Sequence, residues 1–136
     1  MTVVIDSSVT LGWTLADERT EATASILRLV AENGAVAPSI WPVEVANSLS
    51  VAVRRKRISL TTRDSHLADL ATLTIDLDEH TAANAWSVTL ALADRFGLTV
   101  YDAAYLELAM RRRLPLATLD NALIAAGPAV GVAILP

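Results

Sequence analysis

The sequence predicts an α/β fold in which a mainly parallel central sheet is flanked by helices, and three observations support this. Short apolar runs alternate with longer amphipathic stretches, which is the β-α-β-α order of such folds. The short runs are apolar throughout, as strands buried on both faces of a parallel sheet are. The chain has 136 residues, of which 53% are hydrophobic, enough to build one core. We therefore predict a single domain over residues 1–136.

The predicted strands are short apolar runs, with one further candidate at Thr74 to Leu77. They lie at Val3 to Ile5, Val36 with Ala37, Leu98 to Val100, Leu116 with Ala117, and Val132 to Leu135. Helical periodicity predicts helices over residues 20–33, 40–57, 62–72, 80–96, 102–113 and 120–126. Capping signals support three of these boundaries: a capping box at Thr61 with Asp64, and helix ends at Gly34 and Gly97.

Composition limits the chemistry that the chain can carry. There is no cysteine, so disulfides, thiolate metal sites and cysteine nucleophiles are excluded, and any metal must bind oxygen or one of two histidines. Oxygen ligands favour Mg²⁺ or Mn²⁺. The longest uncharged run, residues 121–136, is interrupted by two glycines and a proline and is shorter than the roughly 20 apolar residues that span a bilayer. Because no export signal opens the chain either, we expect a cytoplasmic protein without a membrane segment.

The basic residues are concentrated although the net charge is −4. Seven of the eleven lie in two runs, Arg54, Arg55, Lys56 and Arg57, and Arg111, Arg112 and Arg113. One interpretation is that both runs are solvated helix ends, where cations complement the helix dipole. The other is that they contact phosphates, which gains weight only if the chain also cuts phosphates.

Three aspartates each follow an apolar run that we predict to be a strand: Asp6, Asp102 and Asp120. The carboxyl ends of parallel strands share one edge of a sheet, and ligands bind there. Each aspartate could instead be a helix N-cap, for which aspartate is among the best residues. Three carboxylates at one edge repel each other unless a cation or a raised pKa relieves them, and a divalent ion would do so.

Glu44 is a fourth candidate and lies on a predicted helix. It is the only charged residue between Glu32 and Arg54 and has apolar neighbours, so we expect it to be partly buried and to need a partner or a metal. Asn47 lies three residues later on the same helical face and could orient Glu44 or a bound water. The alternative is a structural ion pair between Glu44 and a nearby arginine.

The motifs around these acids resemble a known family. They are Val-Ile-Asp-Ser-Ser-Val, Pro-x-x-Glu-Val-Ala-Asn-x-Leu, Tyr-Asp-Ala-Ala-Tyr-Leu-Glu-Leu-Ala and Ala-Thr-Leu-Asp-x-x-Leu, in that order over nearly the whole chain. Together they are similar to the PIN domain, and specifically to VapC-type toxins of type II toxin–antitoxin systems. The resemblance implies a PIN-like fold and a Mg²⁺- or Mn²⁺-dependent endoribonuclease with acidic residues at Asp6, Glu44, Asp102 and Asp120.

The resemblance also implies roles and partners. Ser8 and Thr118 match hydroxyl positions that often lie beside the metal, a small VapB-type antitoxin is the expected partner, and such toxins commonly form homodimers. For an RNA substrate, a divalent ion can activate water and neutralise charge on the phosphate. We expect Asp6 and Asp102 to make the principal metal contacts, while Asp120 and Glu44 hold a second ion or orient bound water.

Two other functions stay open at this stage. The fold could be a catalytically silent PIN-like binding module, although such modules usually lose their acids. It could also transfer phosphoryl groups through Asp6, but that chemistry usually needs a second acid and a lysine close by.

The remaining conspicuous residues have simpler explanations. We expect His66 and His80 at the surface, and the three tryptophans, Trp13, Trp41 and Trp86, in the core or an interface. Base stacking by Trp13 or Trp41 is the alternative. We predict that Tyr101 and Tyr105 pack rather than catalyse, and that the apolar helix from Ala103 to Met110 is buried or meets another subunit.

Overall fold

A computed structural model describes residues 1–135, so Pro136, the last residue of the predicted domain, lies outside the described residues. The predicted α/β fold with a parallel sheet is confirmed, because five parallel strands run in the order β3-β2-β1-β4-β5. They are β1 (Val4–Ile5), β2 (Ala35–Pro38), β3 (Ile75–Asp78), β4 (Leu116–Ala117) and β5 (Ile134–Leu135).

Helices connect every pair of consecutive strands. They are α1 (Ser7–Thr14), α2 (Glu21–Asn33), α3 (Trp41–Arg54), α4 (Leu60–Leu70), α5 (Thr81–Asn84), α6 (Leu90–Phe96), α7 (Val100–Arg112) and α8 (Asn121–Ala129). A π-helical segment, Ala85–Thr89, joins α5 to α6, and a short 3-10 turn, Ala16–Glu18, follows α1. The predicted helix over 80–96 is therefore helical along its length, but it consists of three consecutive segments: α5, the π-helical segment and α6.

The strand order reverses at the centre of the sheet. From β1 the chain crosses first to β2 and β3 on one side, and later to β4 and β5 on the other. The carboxyl ends of β1 and β4 therefore lie at a topological switch point, where the connections diverge and leave a crevice. Val4 and Ile5 pair with Leu116 and Ala117, so the residues that follow these two strands are held side by side.

One predicted strand is wrong and one additional candidate is a strand. Leu98 to Val100 does not belong to the sheet, because α7 begins at Val100 and Thr99 is its N-cap, whose side chain accepts a hydrogen bond from the backbone N–H of Asp102. Its short apolar run is equally suited to a buried helix start, which periodicity over three residues cannot distinguish from a strand. The additional candidate at Thr74 to Leu77 corresponds to β3, which pairs with β2 over four residues.

Helix α1 was not predicted at all. Its sequence, Ser-Ser-Val-Thr-Leu-Gly-Trp-Thr, is poor in strong helix formers. The helix is stabilised instead by an aspartate cap and by burial of Val9 and Trp13. Gly12 allows α1 to lie against α2, since a Cβ at this position would be 2.7 Å from the Thr23 methyl carbon.

Helix boundaries follow two of the three predicted signals. Gly34 and Gly97 end α2 and α6 with φ of 73° and 65°, in the left-handed region that glycine adopts without strain. The predicted capping box at Thr61 and Asp64 is wrong. Ser59 caps α4 instead, accepting a hydrogen bond from the N–H of Thr62, so the helix begins two residues earlier than the pattern indicated.

Helix α7 lies at the centre of the packing. All residues from Ala103 to Ala109 are buried, and the helix contacts β1, β2 and β4 as well as the α5–α6 stretch. The expectation that this helix is buried is therefore confirmed within the chain itself. Within residues 1–135, no helix is both long and apolar enough to cross a membrane.

Candidate acidic site at the carboxyl edge of the sheet

Asp6 follows β1 directly and is held by three hydrogen bonds. Its Oδ1 accepts from the Ser8 hydroxyl at 2.6 Å and from the Val9 backbone N–H at 3.0 Å, while Oδ2 accepts from the Thr118 hydroxyl at 2.5 Å. Asp6 is therefore the N-cap of α1, as the alternative interpretation held, and its side chain is only 3% exposed. An ionised carboxylate has about four acceptor positions, so three donors leave one for a further ligand.

Thr118 connects Asp6 to the end of β4. Its hydroxyl is fully buried, donates to Asp6 and accepts from the backbone N–H of Asp120 at 3.0 Å. On the other side, the Ser8 hydroxyl accepts from the backbone N–H of Leu119 at 2.9 Å. The turns that follow β1 and β4 are therefore fastened together by two hydroxyls. Both hydroxyls are at the positions expected to lie beside a metal, although no metal contact is established for them.

Asp120 is the N-cap of α8, and its Oδ2 accepts from the backbone N–H of Leu123 at 3.0 Å. It follows β4 after two further residues, so its predicted place at the edge of the sheet holds. Among residues 1–135, no hydrogen bond is made to its other oxygen, Oδ1. Asp120 thus combines the two roles that we considered as alternatives, a cap through one oxygen and an available ligand through the other.

Asp102 reaches the same region by a different route from the one predicted. It lies in the first turn of α7, after the cap residue Thr99, and not at the end of a strand. Its side chain is half-buried, and within residues 1–135 its one hydrogen-bonding neighbour is the Thr99 hydroxyl, which lowers its pKa. Asp102 is therefore a partly exposed carboxylate that could still accept a ligand.

Glu44 lies in the first turn of α3, which follows β2, and is half-buried as expected. Its partner is not an arginine, because the Tyr105 hydroxyl donates to Glu44 Oε1 at 2.5 Å. This contact was not predicted from the sequence, since the two residues are 61 positions apart and neither position gives a local signal. Asn47 is exposed and makes no hydrogen bond with Glu44 within the part of the chain that the structure describes.

Electrostatics show that the four carboxylates interact. Burial is the main cause that raises the pKa of Asp6, Glu44 and Asp102 above the usual carboxyl range. The charge of Asp102 raises the pKa of both Asp6 and Glu44 further, and the charge of Asp120 raises that of Asp102. Hydrogen bonds oppose these effects at Asp6 and Glu44 without cancelling them. The four predicted acids thus form one group, which we call the acidic cluster.

The donor chemistry of the acidic cluster fits a hard divalent cation. All four side chains offer oxygen, and a cation would relieve both their burial and their mutual repulsion. Yet no group of three or more His, Asp or Glu side chains in residues 1–135 is placed to enclose an ion by itself. Mg²⁺ keeps several waters and often uses only one or two protein carboxylates directly, so an open cluster of this kind suits it.

The arginine run at the end of α7 is not free to contact phosphates as a unit. Arg111 donates to Glu107 at 2.7 Å and to Asp78, at the end of β3, at 2.6 Å. Glu107 and Asp78 are 3% and 5% exposed, so this is a buried ion-pair network that ties α7 to β3. The i,i+4 spacing of Glu107 and Arg111 was the signal that could have revealed it. Arg112 and Arg113 remain exposed.

In the first basic run, all four side chains are exposed at the end of α3. Arg57 pairs with Asp17 at 2.9 Å and with Glu18 at 3.4 Å. Within residues 1–135, the other three, Arg54, Arg55 and Lys56, make no ion pair closer than 4 Å. Three exposed positive charges therefore remain available at this end of the helix.

The tryptophans divide into two groups. Trp13 and Trp41 are buried, and their indole N–H groups donate to the Thr23 carbonyl and to the Thr10 hydroxyl, which leaves no face for base stacking. Trp86, in contrast, is 93% exposed, so it does not belong to the core of this chain.

Comparisons with known proteins agree with this fold. The family model described as PIN domain matches residues 3–127. Ribonuclease VapC3 of Pyrobaculum aerophilum is 31% identical over 130 residues, which cover 96% of this chain and 98% of that protein. Among solved structures, PAE2754 from Pyrobaculum aerophilum has a TM-score of 0.72 at 20% identity, covering 99% of this chain and 90% of the other. VapBC2 from Rickettsia felis, bound to a DNA fragment from its promoter, has a TM-score of 0.66 at 16% identity and covers 98% and 97%. The chain therefore belongs to the PIN-domain family, among its VapC-type members.

Proposed function

We propose that the chain is the toxin of a VapBC-type toxin–antitoxin system and an endoribonuclease whose acidic cluster binds Mg²⁺ or Mn²⁺. The observation that carries this proposal is the meeting of Asp6, Glu44, Asp102 and Asp120 at the switch point of the sheet, where the charges of neighbouring acids raise the pKa of three of them. The similarity to Ribonuclease VapC3 supports RNA as the substrate.

The four acids of the cluster would differ in their contacts with the metal, because their surroundings differ. Asp102 is half-buried and has only the Thr99 hydroxyl as a hydrogen-bonding neighbour within residues 1–135, so it would make a direct metal contact. Asp6 is rigid and retains one acceptor position, which suits a second contact of fixed direction. Asp120 and Glu44 each keep one oxygen without a hydrogen bond in the described residues and would hold a second ion or orient water.

When bound, a divalent ion supplies an activated water and neutralises the charge that grows on the scissile phosphate. The chain's own residues determine where the phosphate can approach. The buried hydroxyl of Thr118 and the half-buried hydroxyl of Ser8 limit the rotation of Asp6, so the edge of the sheet keeps one geometry as substrate arrives. Such preorganisation lowers the cost of reaching the transition state.

We also propose the partners that the family implies. A VapB-type antitoxin is supported by the structural similarity to VapBC2, and a cytoplasmic location would give the chain access to RNA. The family resemblance is the basis for a homodimer, and we propose the 93% exposed Trp86 as a residue of its interface. Light scattering on the purified chain should give twice its mass of 14.5 kDa, the mass of a dimer. The variant Trp86→Glu should give the mass of a single chain.

The deciding experiment is cleavage of a total-RNA pool by the purified protein with Mg²⁺, with Mn²⁺ and with EDTA. Asp6→Asn removes one carboxylate of the cluster, and Asp94→Asn makes the same change at an exposed site on α6. Discrete products that require metal, appear with Asp94→Asn and are absent with Asp6→Asn would support the nuclease. Products that persist in EDTA or with Asp6→Asn would contradict it. Acetyl phosphate should not be consumed, which separates this activity from phosphoryl transfer through Asp6.

A further inference from the structure

Tyr105 occupies an unusual place in the acidic cluster. It lies on α7, three residues after Asp102, and its side chain is only 1% exposed. Its hydroxyl reaches across to α3 and donates to Glu44 Oε1 at 2.5 Å. No other hydrogen bond to the Glu44 carboxylate is made within residues 1–135. The contact therefore fastens the one cluster residue carried by α3 to the helix that carries Asp102.

The hydroxyl is not needed to fill space, because the aromatic ring already packs in the core. Phenylalanine would fill almost the same volume without a polar atom. A buried hydroxyl requires a partner, and its partner here is a carboxylate that is itself only half-buried. The hydrogen bond limits the motion of the Glu44 side chain, which has three rotatable bonds and could otherwise turn towards solvent. A side chain that is already held in place loses less conformational entropy when it binds an ion.

We propose that Tyr105 is a positioning residue, which holds Oε1 of Glu44 so that Oε2 remains available to the divalent ion. The inference rests on the proposed metal site. It goes beyond the four acids of the motifs, because it assigns a positioning role to Tyr105, a neutral donor on another helix. Residues that orient a metal's ligands typically affect metal affinity by about tenfold to a hundredfold when they are changed.

The test measures Mn²⁺ binding, separately from cleavage, by calorimetry and by the rise in melting temperature on adding the ion. Tyr105→Phe removes only the hydroxyl, and we expect it to weaken Mn²⁺ binding by about tenfold. Tyr101→Phe makes the same change in the other tyrosine, which is exposed and makes no hydrogen bond through its hydroxyl within residues 1–135. It should bind Mn²⁺ as the unchanged chain does.

A double-mutant cycle identifies the residue through which Tyr105 acts. If Tyr105 acts through Glu44, the pair Glu44→Gln with Tyr105→Phe should bind Mn²⁺ no more weakly than Glu44→Gln alone. Raising the Mn²⁺ concentration should also restore cleavage by Tyr105→Phe, since the variant loses affinity for the ion and not the catalytic acids. A variant that had merely lost structure would not recover in this way.

Three results would overturn the inference. Unchanged Mn²⁺ affinity in folded Tyr105→Phe, or full additivity in the cycle, would show that the hydroxyl does not act through Glu44. If Tyr105→Phe does not fold, Tyr105→Met replaces it, because methionine fills irregular apolar space without a donor, and the same loss of Mn²⁺ affinity is expected.

An unchanged chain that binds no Mn²⁺ would overturn the metal site itself. Normal Mn²⁺ binding with unaffected variants would overturn only the role of Tyr105.

Discussion

Thr118→Val should destabilise the chain by about 2 kcal/mol. The substitution keeps the shape of a fully buried side chain and removes the hydroxyl that donates to Asp6 Oδ2 at 2.5 Å and accepts from the N–H of Asp120. A hydrogen bond to a charged group contributes about 1.5–3 kcal/mol. The methyl group of valine offsets up to about 0.8 kcal/mol of this loss in stability. The half-buried N–H of Asp120 can form a hydrogen bond to water, so losing its contact with Thr118 costs little.

This effect should depend on pH in a defined direction. The Thr118 hydrogen bond lowers the pKa of Asp6, so its removal raises that pKa further above the usual carboxyl range. The bond stabilises the ionised form, and the stability difference between the chain and Thr118→Val therefore widens as the pH rises through the folded pKa of Asp6. At low pH, where Asp6 is protonated in both proteins, the difference is smallest.

Urea unfolding of metal-free protein between pH 5 and pH 8 measures this difference, with Thr118→Ser as the control. Serine keeps the hydroxyl and loses a buried methyl group, which costs about 1 kcal/mol at every pH. At pH 8 the valine variant should melt about 8 °C below the unchanged chain for a loss of about 2 kcal/mol. Equal losses for valine and serine, both independent of pH, would refute the assigned hydrogen bond.

Three further variants test other contacts. Arg111→Leu leaves two buried carboxylates without their cation and should cost about 3–5 kcal/mol in urea unfolding, whereas the exposed Arg112→Leu should change it by less than about 0.5 kcal/mol. Gly127→Ala places a Cβ at 2.5 Å from the Ile134 Cδ1 atom and should cost about 1–3 kcal/mol, so an unchanged melting temperature would exclude this close packing. Alanine at all three of residues 54–56 should reduce the salt slope of RNA binding by about 2, at about 0.7 per phosphate contact, and should do so more than Arg57→Ala, whose charge is already paired. An unchanged slope would exclude the basic run as a guide for RNA.

The fold was predictable where sequence signals are local. Asp6 and Asp120 each follow a predicted strand and cap a helix, but only α8 after Asp120 was predicted, because the sequence of α1 is poor in strong helix formers. Gly34 and Gly97 end helices, which is also a local signal. Such positions need no knowledge of the rest of the chain, which explains why the predictions for them are correct.

The errors arise where tertiary context decides. In the segment Leu98 to Val100 only Leu98 is buried, and it packs beside the start of α7 instead of in the sheet. β3 lies at the edge of the sheet with Asp76 and Leu77 exposed, so its pattern lacked the apolar signature of a central strand. Asp102 was predicted to follow a strand, but it lies in the first turn of α7, which brings it to the same edge of the sheet.

The partner contacts of the acids lie beyond sequence reasoning for a different reason. Thr118 is 112 residues from Asp6, and Tyr105 is 61 from Glu44. A single sequence contains no record of which hydroxyl meets which carboxylate, because hydrogen bonds between distant elements depend on strand order and helix packing. The buried network of Arg111 with Asp78 is of the same kind, joining residues 33 positions apart.

The acidic cluster makes the metal-free chain less stable as the pH rises. A carboxyl group whose folded pKa is raised contributes stability that is fully present below its unfolded pKa of about 4 and is lost as the pH rises through the folded value. Burial and the neighbouring carboxylates raise the pKa of Asp6, Glu44 and Asp102, so each of the three contributes to this loss as the pH rises. A divalent ion relieves the repulsion that remains, and Mn²⁺ should therefore raise the melting temperature more at pH 8 than at pH 5. Asp102→Asn should stabilise the metal-free chain at pH 8 and abolish most of the gain from Mn²⁺. A gain from Mn²⁺ that is equal at both pH values, and equal in Asp102→Asn, would mean that the ion binds elsewhere.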